Sequence, residues 1–536
     1  MKLKKALLAI PAALALTLSA CSGGSGASSA TSDSNGTSTG VVTVNGSEPQ
    51  NPLIPANTNE VGGGKIEDLI FSGLVYYDAK GATHNDMAES IESSDNQNWT
   101  IKLKKGQKFT DGTEVQAHNF VDAWKAGAKE AMLSSYFYGH IQGAADDGTG
   151  DLTGVKEVDD YTFTVALKDP EADFPLQLGY AAFYPLPDST LKDSKTGGEH
   201  PVGNGPYKLA SDNAWQHNVR IDLVPNPDYK GDRQPKNGGV SVIFYSSTDA
   251  AYSDLLAGNL DVLDAIPASS LGSFQDDLGD RAVNQPAAIW QSISISENAP
   301  HFSGEEGKLR RQAISMAIDR DSVTKTIFYG TRTPAKDFTS PVIDGYNDAL
   351  SGSDVLSYNA DKAKELWAKA DAISPWSGQF SIAYNSDGDH QAWVDAVCNS
   401  IKNTLGIDAA GKPYPDFKSL RDDITNGKVE SGFRTGWQAD YPGKYNFLAP
   451  LYGTGAGSND AQYSSAEFDG LLTKASAASS VDESNKILDQ AQELLLQDLP
   501  AIPLWYSNVT GGYADTVSNV AFGWNSVPIY EDIVKN

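Results

Sequence analysis

Cysteine is nearly absent: Cys21 and Cys398 are the two in 536 residues. Two thiols make no disulfide framework, so a chain of this length must hold together by burying apolar surface. Basic residues are in deficit, 41 Lys and Arg against 69 Asp and Glu, a formal charge of −28. That balance excludes nucleic acid as the main partner, because phosphate binding needs a basic surface. After residue 20 no apolar run approaches the roughly 20 residues that span a bilayer, which excludes a channel or a permease. The spacings of common catalysts are also missing. The one G-x-S-x-G, residues 36–40, lies in a Ser/Gly/Thr tract with no strand before it and so offers no nucleophile elbow, and there is no G-x-x-x-x-G-K-[ST] for nucleotide hydrolysis. The seven His (84, 118, 140, 200, 217, 301 and 390) form neither H-E-x-x-H nor a local zinc pair. Gly453-Thr454-Gly455-Ala456-Gly457 lacks the strand-before, helix-after context of a dinucleotide loop and reads as a surface loop. Asp387-Gly388-Asp389 is too short for a calcium loop and reads as a turn.

What is present begins at the N-terminus. Residues 6–20 are apolar, follow Lys2, Lys4 and Lys5, and end in Leu18-Ser19-Ala20-Cys21. A charged start, a short apolar run and small residues form a secretory signal. The last four residues resemble the lipobox of bacterial lipoproteins, in which cleavage precedes a Cys that carries diacylglycerol. Two or more acyl chains hold a protein stably at a membrane, where one is marginal. Loss of residues 1–20 with their three lysines leaves 516 residues at −31. Residues 22–40 hold Ser, Gly and Thr without one large apolar side chain, so 21–40 reads as a flexible tether of roughly 25 Å reach. Cys398 then has no partner, and burial in a helix is its expected state.

The rest alternates strands and helices. Length allows two to four domains at about 150 residues each. Alternation of apolar and polar residues predicts strands at 41–44, 99–103 and 161–165, with further strand-like runs at 240–245 and 379–384. Apolar spacing of three and four predicts helices at 117–130, 309–328, 361–370, 391–405 (closed by Gly406) and 481–496. The class is mixed α/β. Aromatics cluster beside isolated charges in Arg434-Thr435-Gly436-Trp437-Gln438-Ala439-Asp440-Tyr441-Pro442 and in Trp505-Tyr506. Such residues suit ligand contact. Core packing, with Asp440 capping a turn, accounts for them equally well on residue chemistry alone.

Several ordered motifs resemble one family. They are Asn45-Gly46-Ser47-Glu48-Pro49; Trp99-Thr100-Ile101-Lys102-Leu103-Lys104-Lys105-Gly106 with Phe109-Thr110-Asp111-Gly112-Thr113 and Ala117-His118-Asn119-Phe120; Gly203-Asn204-Gly205-Pro206-Tyr207; Asn226-Pro227-Asp228-Tyr229; Ala257-Gly258-Asn259-Leu260-Asp261-Val262; and Arg311-Gln312-Ala313-Ile314 with Ala317-Ile318-Asp319-Arg320. From about Val44 to near the C-terminus the chain resembles the oligopeptide- and dipeptide-binding lipoproteins of ABC importers, the extracellular solute-binding proteins of the family 5 type. The resemblance implies a two-lobe periplasmic-binding-protein-like α/β fold with a hinge and an extra α/β subdomain on the first lobe. Lobe I would comprise 41–72, 200–285 and 507–536, its insert 73–199, and lobe II 286–506.

Gly436-Trp437-Gln438-Ala439-Asp440-Tyr441 resembles the oligopeptide branch. There the matching Asp binds the peptide α-ammonium, the residues matching Gly436 and Gln438 bond its main chain, and the Trp lines a pocket. Main chain near Asn59 and Val61 is implied on the opposite side, and Arg434 and His390 match positions that pair the terminal carboxylate. A further basic residue of that branch falls at an apolar position near Ile424. Gln438 stands where some relatives hold a disulfide-bonded Cys. An expected aromatic falls near Met132, with Tyr136 and Tyr138 close by. The implied protein is not an enzyme and needs no cofactor or metal. It is a monomer held by lipid to the outer face of the cell membrane, taking oligopeptides in an interlobe cleft to ABC permease subunits. A non-peptide solute such as an oligosaccharide or metal chelate, and a secreted hydrolase, are the alternatives.

Overall fold

The structure is a computed structural model that describes residues 39–386, 390–415 and 417–536. The signal segment, Cys21, nearly all of the tether and the Asp387-Gly388-Asp389 turn lie outside the described residues. A twelve-stranded sheet runs through the protein. At one end Val41–Gly46 pairs in parallel with Gly239–Phe244, so that Val42 meets Val240 and Val44 meets Val242. Arg220–Pro225 and Tyr207–Leu209 extend this end antiparallel. Alternate residues Val42, Val44, Ile221 and Leu223 point inward and are buried, as a period of two requires. At the other end Gln379–Asn385 lies between Asp408–Tyr414 and Gly432–Gln438, both parallel to it.

Two long strands join the ends, Ala282–Ile295 and Ala501–Tyr513. They pair antiparallel from Ala282↔Gly512 to Pro286↔Asn508, lose register, and resume at Trp290↔Tyr506. Pro286 has no N–H to give the ladder, and the interval 287–289 has no partner in Ala501–Tyr513. Two apolar cores lie on either side of this seam. One holds Val42, Ile66, Trp124 and Phe163, and the other Trp290, Ile314, Trp393 and Trp505. The arrangement is a two-lobe α/β fold whose lobes meet at a hinge of crossing strands.

An additional four-stranded antiparallel sheet, Ala88–Ser93, Asn98–Leu103, Thr162–Ala166 and Val155–Asp159, sits on the first lobe. The helix Ala117–Lys129 lays Phe120 and Trp124 on its Phe163, with ring centroids 5.8 and 5.6 Å apart. Elsewhere the expected elements appear within a residue or a few of their predicted limits. Gln391–Leu405 ends on Gly406 at φ 70°, a left-handed conformation glycine adopts without cost. Cys398 is buried on that helix, and burial pushes its thiol up to about 12. One element differs. The single helix expected over 309–328 is two, Gly304–Ala317 and Arg320–Thr326. Asp319 leaves helical geometry to accept from Ser322 N–H at 3.0 Å, and a side chain that caps a new helix cannot continue an old one. Among the described residues no helix is long and apolar enough to cross a membrane.

Candidate functional site

Gly432–Gln438 carries the aromatic motif along the hinge. Its neighbour toward the centre of the sheet is Ala282–Ile295, with Gly436 opposite Gln291 and Gln438 opposite Ile289. A Cβ on Gly436 would stand 2.7 Å from Trp290 O, so this close approach needs glycine. On the other edge the pairing with Gln379–Asn385 covers only Gly432 and Phe433, so that edge of Thr435–Gln438 meets no described strand. The chain then turns: Ala439 N–H donates to Ala288 O at 2.9 Å, and Ala288 N–H donates to Trp524 O at 2.8 Å. The turn is thus tied to the interval where the crossing strands lose register.

Asp440 follows, and one buried amide orients it. Asn446 Oδ1 accepts from Asp440 N–H and from Trp437 Nε1–H, each at 3.0 Å, and Asn446 Nδ2 donates to Asp440 Oδ2 at 2.9 Å. Among the described residues none donates a hydrogen bond to Asp440 Oδ1 and no cation pairs with this carboxylate. Burial pushes the carboxyl up, and the bond from Asn446 offsets part of that. It lines a cavity of about 400 Å³. Gln438 lies beside it, Asn59 and Val61 form another part of the wall, and Tyr136 and Tyr180 join from the inserted subdomain. The Tyr136 phenol is pushed up first by burial, then by Tyr180 and Asp440, which sets the three within electrostatic range. Glu60 caps the helix Val61–Ile70 by accepting from Gly63 N–H, and so fixes the Asn59–Val61 corner.

Of the residues singled out in the sequence, Asp440, Gln438, Asn59 and Val61 are brought to one cavity, and Gly436 and Trp437 continue its strand. Arg434 and His390 are elsewhere. Arg434 lies four residues from Gln438, on the order of 13 Å along the strand, and its Nε donates to Asn385 Oδ1 at 2.8 Å. His390 precedes the helix Gln391–Leu405, and its Nδ1 accepts from Trp393 Nε1–H at 3.1 Å. Trp505 and Tyr506 do not reach the cavity: they are 0% and 1% exposed. Trp505 donates to Gln291 Oε1 and packs on Trp393, and Tyr506 donates to Asp337 Oδ1. The core reading of that pair is the one their placement matches. Tyr136 faces the cavity, whereas Tyr138 is buried with its hydroxyl on Ala182 O. Ile424 belongs to a small apolar cluster with Leu420 and Phe433. Asn446, Tyr180 and Trp524 fall in none of the motifs singled out in the sequence.

The bacterial extracellular solute-binding proteins, family 5 (middle region), match residues 82–459. The chain belongs to that family. Among relatives of this family 5 protein, oligopeptide-binding protein OppA of Bacillus subtilis is 26% identical over 540 residues, covering 96% of this chain and 95% of the relative. Periplasmic oligopeptide-binding protein OppA of Salmonella typhimurium is 28% identical, covering 87% of each. Of solved structures, the murein tripeptide-binding protein MppA in its unliganded open form superposes at TM-score 0.83 with 23% identity, covering 93% and 97%. OppA of Haemophilus influenzae in complex with RPPGFSPFR gives TM-score 0.66 at 23% identity, covering 93% and 99%. The two-lobe architecture of the family 5 protein is common to both.

Proposed function

We propose that this chain is the non-enzymatic receptor of an ABC importer and captures oligopeptides between its lobes. The observation that carries the reading is the half-desolvated Asp440 carboxylate, held by Asn446, with one oxygen open on the cavity and no cation beside it among the described residues. A peptide α-ammonium supplies that cation. The unpaired edge at Thr435–Gln438 supports an extended main chain docking as an added strand, which gives affinity without reading side chains. Relatives that bind oligopeptides, by their names, support the same ligand class. Walls from both lobes let a ligand favour closure, since only a group that touches both shifts the balance. The higher TM-score with an unliganded open form than with a peptide complex supports reading this conformation as open. The lobes are proposed as 41–72 with 200–285 and 507–536, carrying the insert 73–199, and 286–506. Export and a lipid on Cys21 would keep this monomer on the outer face of the membrane beside its permease.

Calorimetry with a tripeptide and its N-acetylated form tests the site. The free peptide is expected to bind about tenfold or more tightly, the worth of one charge-assisted hydrogen bond. Asp440→Asn is expected to remove that difference. Equal affinities in the unaltered protein would remove the assigned role of Asp440.

A further inference from the structure

The cavity holds more negative charge than one peptide terminus neutralises. Five carboxylates line it, Glu60, Asp68, Asp78, Asp440 and Glu531, against Lys65 and Arg233. Both cations are engaged. Lys65 pairs with Asp264. Arg233 Nε lies 3.6 Å from Asp86 and its Nη1 3.9 Å from Glu531, and Nη1 donates to the main-chain oxygen of Asp68 rather than to its carboxylate. Glu60 is occupied as a helix cap. Asp78 accepts from Lys80 and Ala82 N–H and lies 3.3 Å from His84. Among the described residues two of the five, Asp440 and Asp68, neither pair with a cation or a histidine nor cap a helix. The second repeats the design of the first. Asp68 Oδ1 accepts one neutral hydrogen bond, from the Tyr184 hydroxyl at 2.8 Å, and Oδ2 accepts none from the described residues. Burial pushes its carboxyl up, and Arg233 acts on it only at longer range. Tyr180 lines the same cavity and feels both carboxylates, which puts its hydroxyl within electrostatic range of each. With Tyr77 and Trp524 it gives the cavity aromatic faces that suit an aliphatic stem and its cationic tip.

We propose that Asp68 is a specificity residue: with the α-ammonium on Asp440, it receives the side-chain cation of a Lys or Arg at the first position of the peptide. This rests on the reading of the cavity as a peptide site and names the peptides it prefers.

The test is calorimetry with Lys-Ala-Ala and with the same peptide carrying norleucine in place of lysine, which keeps the stem and removes the charge. The unaltered protein is expected to bind the lysine peptide about tenfold or more tightly. In Asp68→Asn, where Oδ1 can still accept from Tyr184, the two peptides should agree within about twofold, with norleucine binding retained. Asp68→Ser is the second variant should Asp68→Asn not fold, with the same collapse expected. Asp440→Asn should weaken both peptides and keep their ratio. If the unaltered protein binds both peptides equally well, the Asp68 assignment falls while the peptide reading stands. A preference that survives in a folded Asp68 variant also overturns it. If neither peptide binds, the peptide reading falls and this one with it.

Discussion

Replacing Asn446 by Ala separates the orientation of Asp440 from its presence. The amide is 5% exposed and makes three hydrogen bonds, two as acceptor and one as donor. Its loss strands the N–H groups of Trp437 and Asp440. Each costs about 1–3 kcal/mol if left unsatisfied. Both residues are half-buried beside the cavity, so water restores part of this, and a stability loss of about 2–3 kcal/mol is expected. The effect on binding is separate. Asn446 supplies the bond that offsets the burial of Asp440, so without it the carboxyl titrates still higher and swings free of one orientation. Affinity for a free tripeptide should fall about tenfold while that for the N-acetylated form stays unchanged. Denaturant unfolding reads the first quantity and calorimetry the second. Asn446→Asp is a sharper probe, since it sets a second carboxylate where the amide donated at 2.9 Å. Like charges at that distance push the pair's upper titration up. Ammonium binding should then weaken steeply as pH falls below neutrality. An Asn446→Ala protein that loses stability yet keeps the full preference for free over acetylated peptide would refute the positioning role.

Asp173, in the inserted subdomain, accepts from the Tyr441 hydroxyl at 2.7 Å, and burial, then Glu171, pushes its carboxyl up to about 7. A carboxyl raised in the folded state favours folding fully below its unfolded value of 3.8 and loses that contribution as pH rises through about 7. Asp173→Asn, which can still accept from Tyr441, should therefore gain in unfolding free energy over the unaltered protein from pH 4 to pH 8, by at most on the order of 4 kcal/mol, read by denaturant unfolding; a constant difference across that range would count against it. Cys21→Ser should move the protein from the membrane fraction to the medium, and retention in the membrane would count against lipidation.

The elements were legible because their signals are local. Gln391–Leu405 closes on Gly406 as its spacing and its glycine indicate, and Asn98–Leu103 and Thr162–Ala166 alternate as half-buried strands do. The break at Asp319 was missed because apolar spacing continues across it, while the cap that divides the helices depends on one side chain turning back to Ser322. Trp505 and Tyr506 offered the same aromatic signal as Trp437. Their burial depends on the strand Ala501–Tyr513 lying between Ala282–Ile295 and Arg332–Pro334, which no local pattern states.

Period, charge sum and motif order are properties of neighbours along the chain. They sufficed for an anionic, nearly thiol-free α/β chain with a candidate carboxylate at Asp440. Which carboxylates lack a cation is a property of neighbours in space. Asp68 and Asp440 are 372 positions apart and share a cavity because the sheet folds the chain back across one hinge. Asn446 acquires its role because a turn of six residues returns it to Asp440. Desolvation and ion pairing are set by the atoms that surround a group, whatever their place in the chain, and so they come into being with the folded state.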